Sequence, residues 1–465
     1  MTTIELDRTV RASTLFRRLG GRRGALWLDD ATLVEPPFMG LDPEAQLIVC
    51  ADGRVLRDDH GERRSVASDP LRAVAAFLDE TPDTGHPWTV GYLAYDLAPF
   101  VEPAMRPRTN AAGALPIAYL ARYDALLVGA RHSSEVGDDP PLRWTAHARD
   151  DAAAARLVAA VGGDPEDEAW IAPPDGTLLE GPDRLRHESA VRRALDYIAA
   201  GDVYQVNLAG RFRVASAAPP HETYLRMRTL QPVRHGMFLD ASDFAVLVNS
   251  PEQFLSVANG VAETRPIKGT RRRGHFPGED RRLVSDLVAD PKERAEHVMI
   301  VDLERNDLGR VCRAGSVEVP RFLEVETYAT LHHLVSTVRG RLRDDVGWDT
   351  LLRATFPGGS ITGAPKIRAT QVIAELEQHP RELYTGALLS CRGPRRLDSA
   401  IAIRIAVARE GVYTYHAGGG IVADSDPTRE YEECLLKAKP FLGATLGARS
   451  RDTSRTQDDA WPEAR

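Results

Sequence analysis

The sequence predicts a mixed α/β (α+β) chain: one large unit built in two interleaved parts. Short apolar runs separated by turn residues dominate the first 160 or so residues, which is typical of strands and hairpins. From Asp183 to about Gly447, strand-like and helix-like segments alternate. The 465 residues are 43% hydrophobic and 27% charged, an ordinary composition for a soluble globular protein with a large core.

Charge and cysteine usage exclude several classes of protein. Lys and Arg number 59 against 67 Asp and Glu, giving a net charge of −8, so neither a nucleic-acid nor a membrane partner is expected. The N-terminus does not resemble a signal peptide, and no apolar run is long enough to span a bilayer. The four cysteines form no CxxC pair, which excludes a zinc ribbon or a dense disulfide framework and favours a cytoplasmic location.

The first part of the chain contains three clear strand signals. Leu47–Cys50 and Arg54–Leu56 flank Asp52-Gly53, a turn pair that predicts a hairpin. Trp88–Leu97 and Ile117–Val128 are apolar and rich in Tyr and Leu. We predict that both are buried strands, although periodicity alone leaves helix open.

Two breaks in the pattern predict the division of the chain. Gly162–Glu168 and Pro173–Gly176 are rich in Gly, Pro and acids and form the best linker candidate. We therefore predict a strand-rich N-terminal part at 1–175 and a second part at 183–448. The polar segment 449–465 is expected to be a disordered tail.

Two acidic segments, each following an Asp-Pro step, open predicted helices. Glu293 and Glu296 lie three residues apart in one, and Glu430 and Glu433 in the other, so each pair shares a helix face. Solvated acidic faces near helix N-termini would explain either pair alone. Two matched pairs also suit Mg²⁺, which takes carboxylate oxygens. Lys437 follows on the same face and pairs with Glu433 or meets an anion.

Two glycine clusters permit close approach of backbone amides to an anion, although a plain turn would explain either alone. Phe356–Lys366 runs into a helix but lacks the Lys and Ser/Thr of a P-loop after Gly363. Ala417–Asp424 follows the predicted strand Val412–Tyr415. It matches a dinucleotide fingerprint only loosely, which leaves an oxidoreductase as a weak rival interpretation.

The run Pro266–Gly269 is short and strand-like, and it places Lys268 on an inward face if Ile267 faces the other way. A surface lysine beside a basic turn is the simpler interpretation. A desolvated lysine near other cations would instead have a lowered pKa and could act as a nucleophile. Arg271–Arg273 has the composition of a nucleic-acid patch, but the acidic chain around it favours a local structural or regulatory role.

Taken together, these motifs resemble the chorismate-utilising enzymes, the family of anthranilate synthase component I and aminodeoxychorismate synthase component I. The matches occur in family order and cover most of Arg184–Lys439. They are Gly201–Leu208, Ser250–Glu252, Pro266–Thr270, Asp302–Arg310, His333–Ser336, Pro357–Lys366, Ile401–Arg404 and Ala417–Ser425. The resemblance implies two packed antiparallel sheets with helices outside and the active site between the sheets.

Two positions distinguish the reactions within this family. Members that make aminodeoxychorismate carry lysine at the position of Lys268, where anthranilate synthases typically carry alanine, and isochorismate synthases carry a lysine base at the position of Gln205. The combination here implies conversion of chorismate and ammonia to 4-amino-4-deoxychorismate, with anthranilate synthesis as the alternative. The pathway served, folate or a p-aminobenzoate-derived natural product, stays open.

The resemblance also implies a role for each matched residue. Lys268 would attack C2 of chorismate, Glu252 would protonate the departing C4 hydroxyl, and His333 would sit beside the ring carboxylate. Glu296 and Glu433 would bind Mg²⁺, supported by Glu293 and Glu430. The implied substrate-binding residues are Gln205, Ser360, Tyr384, Arg404, Gly418, Gly419, Gly420 and Lys437.

Two partner predictions complete the sequence analysis. No cysteine lies in the Gly-rich setting of a glutaminase nucleophile, so we expect ammonia to come from a separate glutamine amidotransferase subunit. A catalytically inactive chain that only stabilises such a subunit is a further alternative, disfavoured by the complete residue set. Leu26–Asp30 is the best candidate for the family's tryptophan site but lacks its serine, so tryptophan binding stays open.

Overall fold

The computed structural model describes residues 1–32, 34–105, 115–131, 139–162, 173–328 and 331–446. Residues 163–168 of the predicted linker and the whole predicted tail (449–465) lie outside these residues. None of the helices in the described ranges is long and apolar enough to cross a bilayer.

The described residues form 24 strands. They are β1 (Thr2–Arg11), β2 (Leu26–Asp29), β3 (Phe38–Gly40), β4 (Ala45–Val49), β5 (Val55–Asp59), β6 (Glu62–Val66), β7 (Thr89–Leu93), β8 (Ala118–Arg122), β9 (Ala125–Arg131), β10 (Pro141–Ala148), β11 (Thr177–Glu180), β12 (Gln205–Ala215), β13 (His235–Asp240), β14 (Ala245–Ser250), β15 (Gln253–Ala258), β16 (Val261–Thr264), β17 (Ile267–Arg272), β18 (Glu318–Thr327), β19 (Leu331–Arg341), β20 (Gly363–Ala364), β21 (Ala387–Gly393), β22 (Arg396–Ile401), β23 (Ile405–Arg409) and β24 (Val412–Ile421).

The same residues form eleven α-helices and a short 3₁₀ turn at Tyr95–Leu97. The helices are α1 (Ala12–Leu19), α2 (Pro70–Asp79), α3 (Ala98–Val101), α4 (Asp151–Val161), α5 (Arg184–Ala199), α6 (Pro220–Leu230), α7 (Pro277–Ala289), α8 (Pro291–Gly309), α9 (Trp348–Thr355), α10 (Lys366–Leu376) and α11 (Pro427–Thr445).

The strands form two antiparallel sheets, which confirms the predicted mixed α/β class. The first runs β1-β10-β9-β3-β2-β13-β14-β23-β24-β12-β11, with β20 also on β12. The second runs β17-β19-β16-β15-β22-β21-β7-β8-β4-β5-β6, with β18 also on β19. Strands from before and after the predicted linker share both sheets, joined by the pairs β2–β13 and β7–β21. The predicted parts are therefore hydrogen-bonded along two seams.

Apolar side chains fill the space between the sheets and the space behind the first sheet. The main core contains residues of both sheets, such as Tyr92, Val246 and Leu389. A second core places α1, α4, α6 and α11 against the outer face of the first sheet, with Phe16 and Phe441 among its members. Burial on this scale, at roughly 25 cal/mol per Å² of apolar surface, is what holds both sheets in place.

Several local predictions can be compared with the structure. β4 and β5 form the predicted hairpin, and Gly53 adopts a φ of 85° in its turn. Trp88–Leu97 holds one strand, β7, but it ends in a 3₁₀ turn. The prediction of one strand at Ile117–Val128 is wrong, because the run is interrupted at Tyr123-Asp124 and passes from β8 in the second sheet to β9 in the first.

Candidate functional site

Both acidic helices begin as their sequences predict. The Asp290 carboxylate accepts the backbone N–H groups of Lys292 and Glu293, at 3.0 and 3.2 Å, at the start of α8. Asp426 accepts the N–H of Arg429, at 3.0 Å, at the start of α11. These caps fix where each helix starts and therefore which face its glutamates share.

The four glutamates differ in their partners. Glu293 pairs with Arg271 at 3.2 Å, and Glu433 pairs with Lys437 at 2.7 Å. The latter is the predicted i,i+4 pair, and the Lys437 ammonium also donates to the Gly418 carbonyl at 2.8 Å. The structure shows no ion pair for Glu296 or Glu430 among the described residues.

The electrostatics connect the two helices. Burial raises the pKa of Glu296 and of Glu430. Burial also raises the pKa of Glu433, but Lys437, Lys268 and Lys292 outweigh it, so the net pKa lies below the ordinary value. The charges of Lys268 and Lys292 therefore act on a glutamate of each helix, Glu296 on α8 and Glu433 on α11.

The donor chemistry of this region fits a hard divalent cation. The available side chains are carboxylates. Burial raises the pKa of two of them, and a bound cation would favour their ionised form. Gly419 leaves room beside them, since a Cβ there would lie 3.1 Å from Glu430 Oε2 and 3.3 Å from Glu433 Oε1. Within the described residues, no three His, Cys, Asp or Glu side chains are already gathered as a metal cage.

Lys268 lies on β17 at a bulge. The register with β19 shifts between Lys268 and Thr270, and Gly269 between them adopts a φ of 77°. A bulge re-aims the neighbouring side chain, which here is half-buried. Its ammonium donates to the Ser360 carbonyl at 3.4 Å and forms no ion pair among the described residues.

Glu252 also contacts Ser360, through the hydroxyl group rather than the carbonyl. The Ser360 hydroxyl donates to Glu252 Oε1 at 2.8 Å, and Glu252 is only 7% exposed. Burial raises the pKa of this carboxyl, against the opposing effects of the Ser360 hydrogen bond and of Lys268. Ser360 therefore joins the candidate nucleophile to a carboxyl group with an increased tendency to hold a proton.

Three further side chains, those of Arg404, His333 and Tyr384, continue the site. Arg404 adopts a φ of 51°, and burial lowers its pKa, yet the described part of the chain supplies no acid to pair with it. His333 Nδ1 lies 2.9 Å from the Thr270 hydroxyl, and burial, with Arg404 second, lowers its pKa to about 4. Tyr384 is buried and stacks on His416, with ring centroids 5.5 Å apart.

Gln205 begins β12 with a fully buried side chain. Neither atom of its amide has a hydrogen-bond partner among the described residues. Its Nε2 lies 2.6 Å from the place where a Cβ of Gly420 would be. Buried amides are normally satisfied, so this group points to a ligand or water as its missing partner.

The prediction that the second glycine cluster follows a strand ending at Tyr415 is wrong, because β24 continues to Ile421 and pairs with β12 throughout. The N–H of Asn207, opposite Gly420, donates instead to Thr362, and the Gly418 carbonyl accepts Lys437. The amides of Gly418 and Gly420 therefore face away from β12. The amide of Gly419 faces β12, so only two of the three predicted donors lie on the open edge.

Arg381 is a site residue that sequence reasoning missed. Its guanidinium binds Glu377 at 2.7 Å, the Asn207 carbonyl at 2.9 Å, the Ile361 carbonyl at 3.2 Å and the Thr385 hydroxyl at 3.1 Å. It thus connects β12, the segment carrying Ser360 and the segment carrying Tyr384. No spacing in the sequence signals these long-range partners.

The arginine run after Lys268 forms ion pairs with neighbouring acids. Arg271 pairs with Asp290 at 2.8 Å, Arg272 with Glu279, and Arg273 with Asp280 at 3.0 Å. These pairs attach β17 to α7 and to the start of α8, which agrees with a local structural role.

The segment Leu26–Asp30 lines a separate cleft. Leu28, Asp29 and Asp30 contribute to its wall, together with Met237 and Arg392. Asp29 forms a buried ion pair with Arg228 at 2.5 Å. Tryptophan binding in this cleft stays a prediction.

Comparison with known proteins identifies the family that this chain resembles. A model of the family described as chorismate binding enzyme matches residues 25–443. Anthranilate synthase component 1 of Aquifex aeolicus is 47% identical over 259 residues, 55% of this chain and 52% of that protein. Aminodeoxychorismate synthase of Streptomyces pristinaespiralis is 46% identical over 274 residues, 59% of this chain and 38% of that protein. The chain thus spans about half, or less, of the length of these two relatives.

A solved structure extends the comparison to the fold. The crystal structure of anthranilate synthase component I from Streptococcus pneumoniae TIGR4 is 30% identical, with a TM-score of 0.73, and covers 87% of this chain and 91% of its own. Since the family model spans strands of both sheets and every candidate site residue, the chain belongs to the chorismate-binding enzymes.

Proposed function

We propose that the chain is an aminodeoxychorismate synthase component I, which converts chorismate and ammonia to 4-amino-4-deoxychorismate and water. The observation that carries this proposal is the Lys268–Ser360–Glu252 arrangement. It places an amine without an acidic partner and a buried carboxyl on two sides of one residue. Covalent catalysis needs such an amine, and departure of a hydroxyl needs such an acid.

In the proposed reaction, the free amine of Lys268 forms a bond to C2 of chorismate. The C4–oxygen bond breaks, and the proton of Glu252 leaves with that oxygen as water. Ammonia then forms a bond to C4, and the C2–nitrogen bond to Lys268 breaks, which returns the free amine. The new ammonium group at C4 gives up one proton, which restores the acid form of Glu252. Chorismate and ammonia are consumed in equal amounts, and no oxidant or reductant is required.

Separate groups support the binding of the two carboxylates of chorismate. Arg404, which lacks an acidic partner among the described residues, suits the enolpyruvyl carboxylate with Tyr384. The open amides of Gly418 and Gly420 suit the ring carboxylate, with His333 nearby. Mg²⁺ at Glu296 and Glu433, with Glu293 and Glu430 in support, would neutralise charge on that ring carboxylate.

We further propose that the ammonia comes from a separate glutaminase. A glutaminase thiol must ionise, but burial raises the pKa of every cysteine here, to about 11 for Cys312 and about 12 for Cys434. Among the described residues, no histidine is one of the groups that act on the pKa of these four thiols. The chain should therefore need a glutamine amidotransferase subunit to use glutamine.

Anthranilate synthesis is the second candidate, favoured by the name of the Aquifex aeolicus relative. A product assay of the purified chain with chorismate, Mg²⁺ and ammonium salt distinguishes the two reactions, because anthranilate is strongly fluorescent and aminodeoxychorismate is not. Intact-mass analysis without ammonia should reveal an adduct that maps to Lys268. Lys268→Ala should abolish the adduct and aminodeoxychorismate synthesis, while the control Lys439→Ala retains both. Anthranilate as product, or an unaffected Lys268→Ala variant, would overturn the proposal.

A further inference from the structure

A polar cavity of about 180 Å³ lies at a gap in the edge of the first sheet. β20 pairs with β12 at Gln205 and Val206, and β11 pairs with it at Arg213–Ala215. Among the described residues, no strand covers the stretch of β12 between these two pairings. The cavity lies against that stretch and is bounded by the first half of α5 and the end of α10. His416, which is only 7% exposed, forms part of its wall.

His416 connects this cavity with the candidate site. Its neighbour Tyr415 stacks on Phe441 of α11, with ring centroids 4.5 Å apart, so the His416 ring lies on the other face of β24. There it stacks on Tyr384, with ring centroids 5.5 Å apart and 21° between the planes. The two stacked rings therefore stand between the cavity and the position proposed for the enolpyruvyl carboxylate.

The imidazole of His416 lacks a hydrogen-bond partner at one nitrogen. Its Nε2 is buried and has no partner among the described residues. Burial, with the charges of Arg211, Arg381 and His379, lowers the pKa of His416 to about 3, so the ring is uncharged at neutral pH. A hydrogen bond to the Pro380 carbonyl places the proton on the other nitrogen, which leaves Nε2 as an acceptor. Buried acceptors normally have a donor, so the cavity is expected to supply one.

The carboxylates of the cavity wall are already engaged. Glu180 pairs with Arg211 at 2.8 Å. Glu377 pairs with Arg381 at 2.7 Å. Asp183, which is exposed, caps the first turn of α5. The other ionisable residues of the wall are basic: Arg186, His187, His379 and His416. The charges of Glu180 and Glu377 are thus neutralised, which disfavours a bound cation, whereas an uncharged donor would satisfy His416 Nε2.

We propose that this cavity is the entrance for ammonia, which binds at His416 Nε2 before it passes the Tyr384 ring toward C4 of chorismate. The proposal rests on the proposed function, in which ammonia is the second substrate. Ammonia is uncharged, carries N–H groups for Nε2 and fits the volume of the cavity. No covalent bond forms or breaks in the cavity, because His416 only accepts a hydrogen bond. Water satisfies the same nitrogen equally well, and kinetics distinguish the two occupants.

His416→Phe removes the acceptor and keeps a ring that can stack on Tyr384. The KM for ammonia should rise about five-fold, the loss expected for one hydrogen bond between uncharged groups, while the KM for chorismate should change little. An unchanged KM for ammonia would overturn the proposal and leave water as the occupant. Equal rises in both KM values would also overturn it, since they would report only a displaced Tyr384.

Ala190→Trp tests the route without altering His416, and it serves even where His416→Phe does not fold. Ala190 lines the cavity from α5, whereas its exposed neighbour Ser189 does not, so Ser189→Trp is the matched control. Ala190→Trp should lower kcat/KM for ammonia several-fold and leave the KM for chorismate unchanged. Equal effects of the two tryptophan variants would contradict entry through this cavity.

Nitrogen NMR of the histidine rings supplies a readout that needs no turnover. Ammonium chloride at alkaline pH, where ammonia is present, should shift the Nε2 resonance that His416→Phe removes, and potassium chloride should not. A resonance that does not respond to ammonia would count against binding at His416. Formation of anthranilate in place of aminodeoxychorismate would count against the proposed function alone, because both reactions consume ammonia.

Discussion

Replacement of Arg381 by methionine tests whether one buried cation holds the site together. The guanidinium is fully enclosed, and its partners lie on three separate segments of the chain. Methionine keeps much of the buried volume but none of the donors. The Glu377 carboxylate, whose side chain is 7% exposed, is then left buried without its cation.

The expected cost follows from that stranded charge. Removal of one partner from a buried ion pair costs about 3–5 kcal/mol. Glu377 retains the Ala209 N–H at 2.9 Å, so we expect Arg381→Met to lie near the lower end, at about 3 kcal/mol. The double variant Arg381→Met/Glu377→Gln should regain part of the loss because the uncompensated charge is gone.

Equilibrium urea unfolding measures these differences as changes in the apparent free energy of unfolding. Arg305→Met is the control, since Arg305 forms an exposed ion pair with Asp302 at 3.0 Å on α8 and should cost less than about 1 kcal/mol. Equal losses for Arg381→Met and Arg305→Met would refute the reasoning. A double variant less stable than Arg381→Met would show that the stranded charge is not the cause.

Three predictions concern the metal, acid stability and the nitrogen source. Glu296→Gln should sharply raise the Mg²⁺ concentration needed for half-maximal activity, because an amide is a weaker ligand for a hard cation. The control is Glu432→Gln, which changes an exposed residue next to Glu433 and should alter that concentration little. Equal effects of the two variants would argue against the two-helix site. Burial lowers the pKa of His333 to about 4, so its stabilising effect is present above the ordinary pKa of 6.5 and is lost as the pH falls through 4. His333→Asn should therefore lose about 2 kcal/mol less than the wild type between about pH 7 and about pH 5 in urea unfolding, and parallel losses would contradict a buried neutral imidazole. The lone chain should turn over chorismate with ammonium salt but not with glutamine until a separate glutaminase is added; glutamine-dependent turnover by the lone chain would disprove the assignment of its nitrogen source.

Sequence reasoning succeeds where the cause is local. Asp290 and Asp426 cap their helices because a short acceptor before Pro satisfies first-turn amides, and that information lies within a few residues. The same holds for the turn at Gly53. Single segments are thus predictable when neighbouring residues alone determine their conformation.

Prediction fails where distant strands decide the outcome. The glycines after Tyr415 look like a loop in isolation, yet β12 supplies a complete antiparallel partner and draws them into β24. Arg381 likewise binds the carbonyl groups of Asn207 and Ile361, which are distant in sequence. Its role could be found only once the fold had brought those carbonyls together.

The distribution of unpaired charge gives the strongest physical argument for a dianionic substrate. The chain carries a net charge of −8, so a buried arginine or lysine would be expected to find an acid easily. Arg404 and Lys268 nevertheless form no ion pair among the described residues, although Arg271, Arg272 and Arg273 close by all do. Basic groups that are partly withdrawn from water and lack partners are costly to the folded protein. Their retention at one site, beside open amides, is what binding of a ligand with two carboxylates would require.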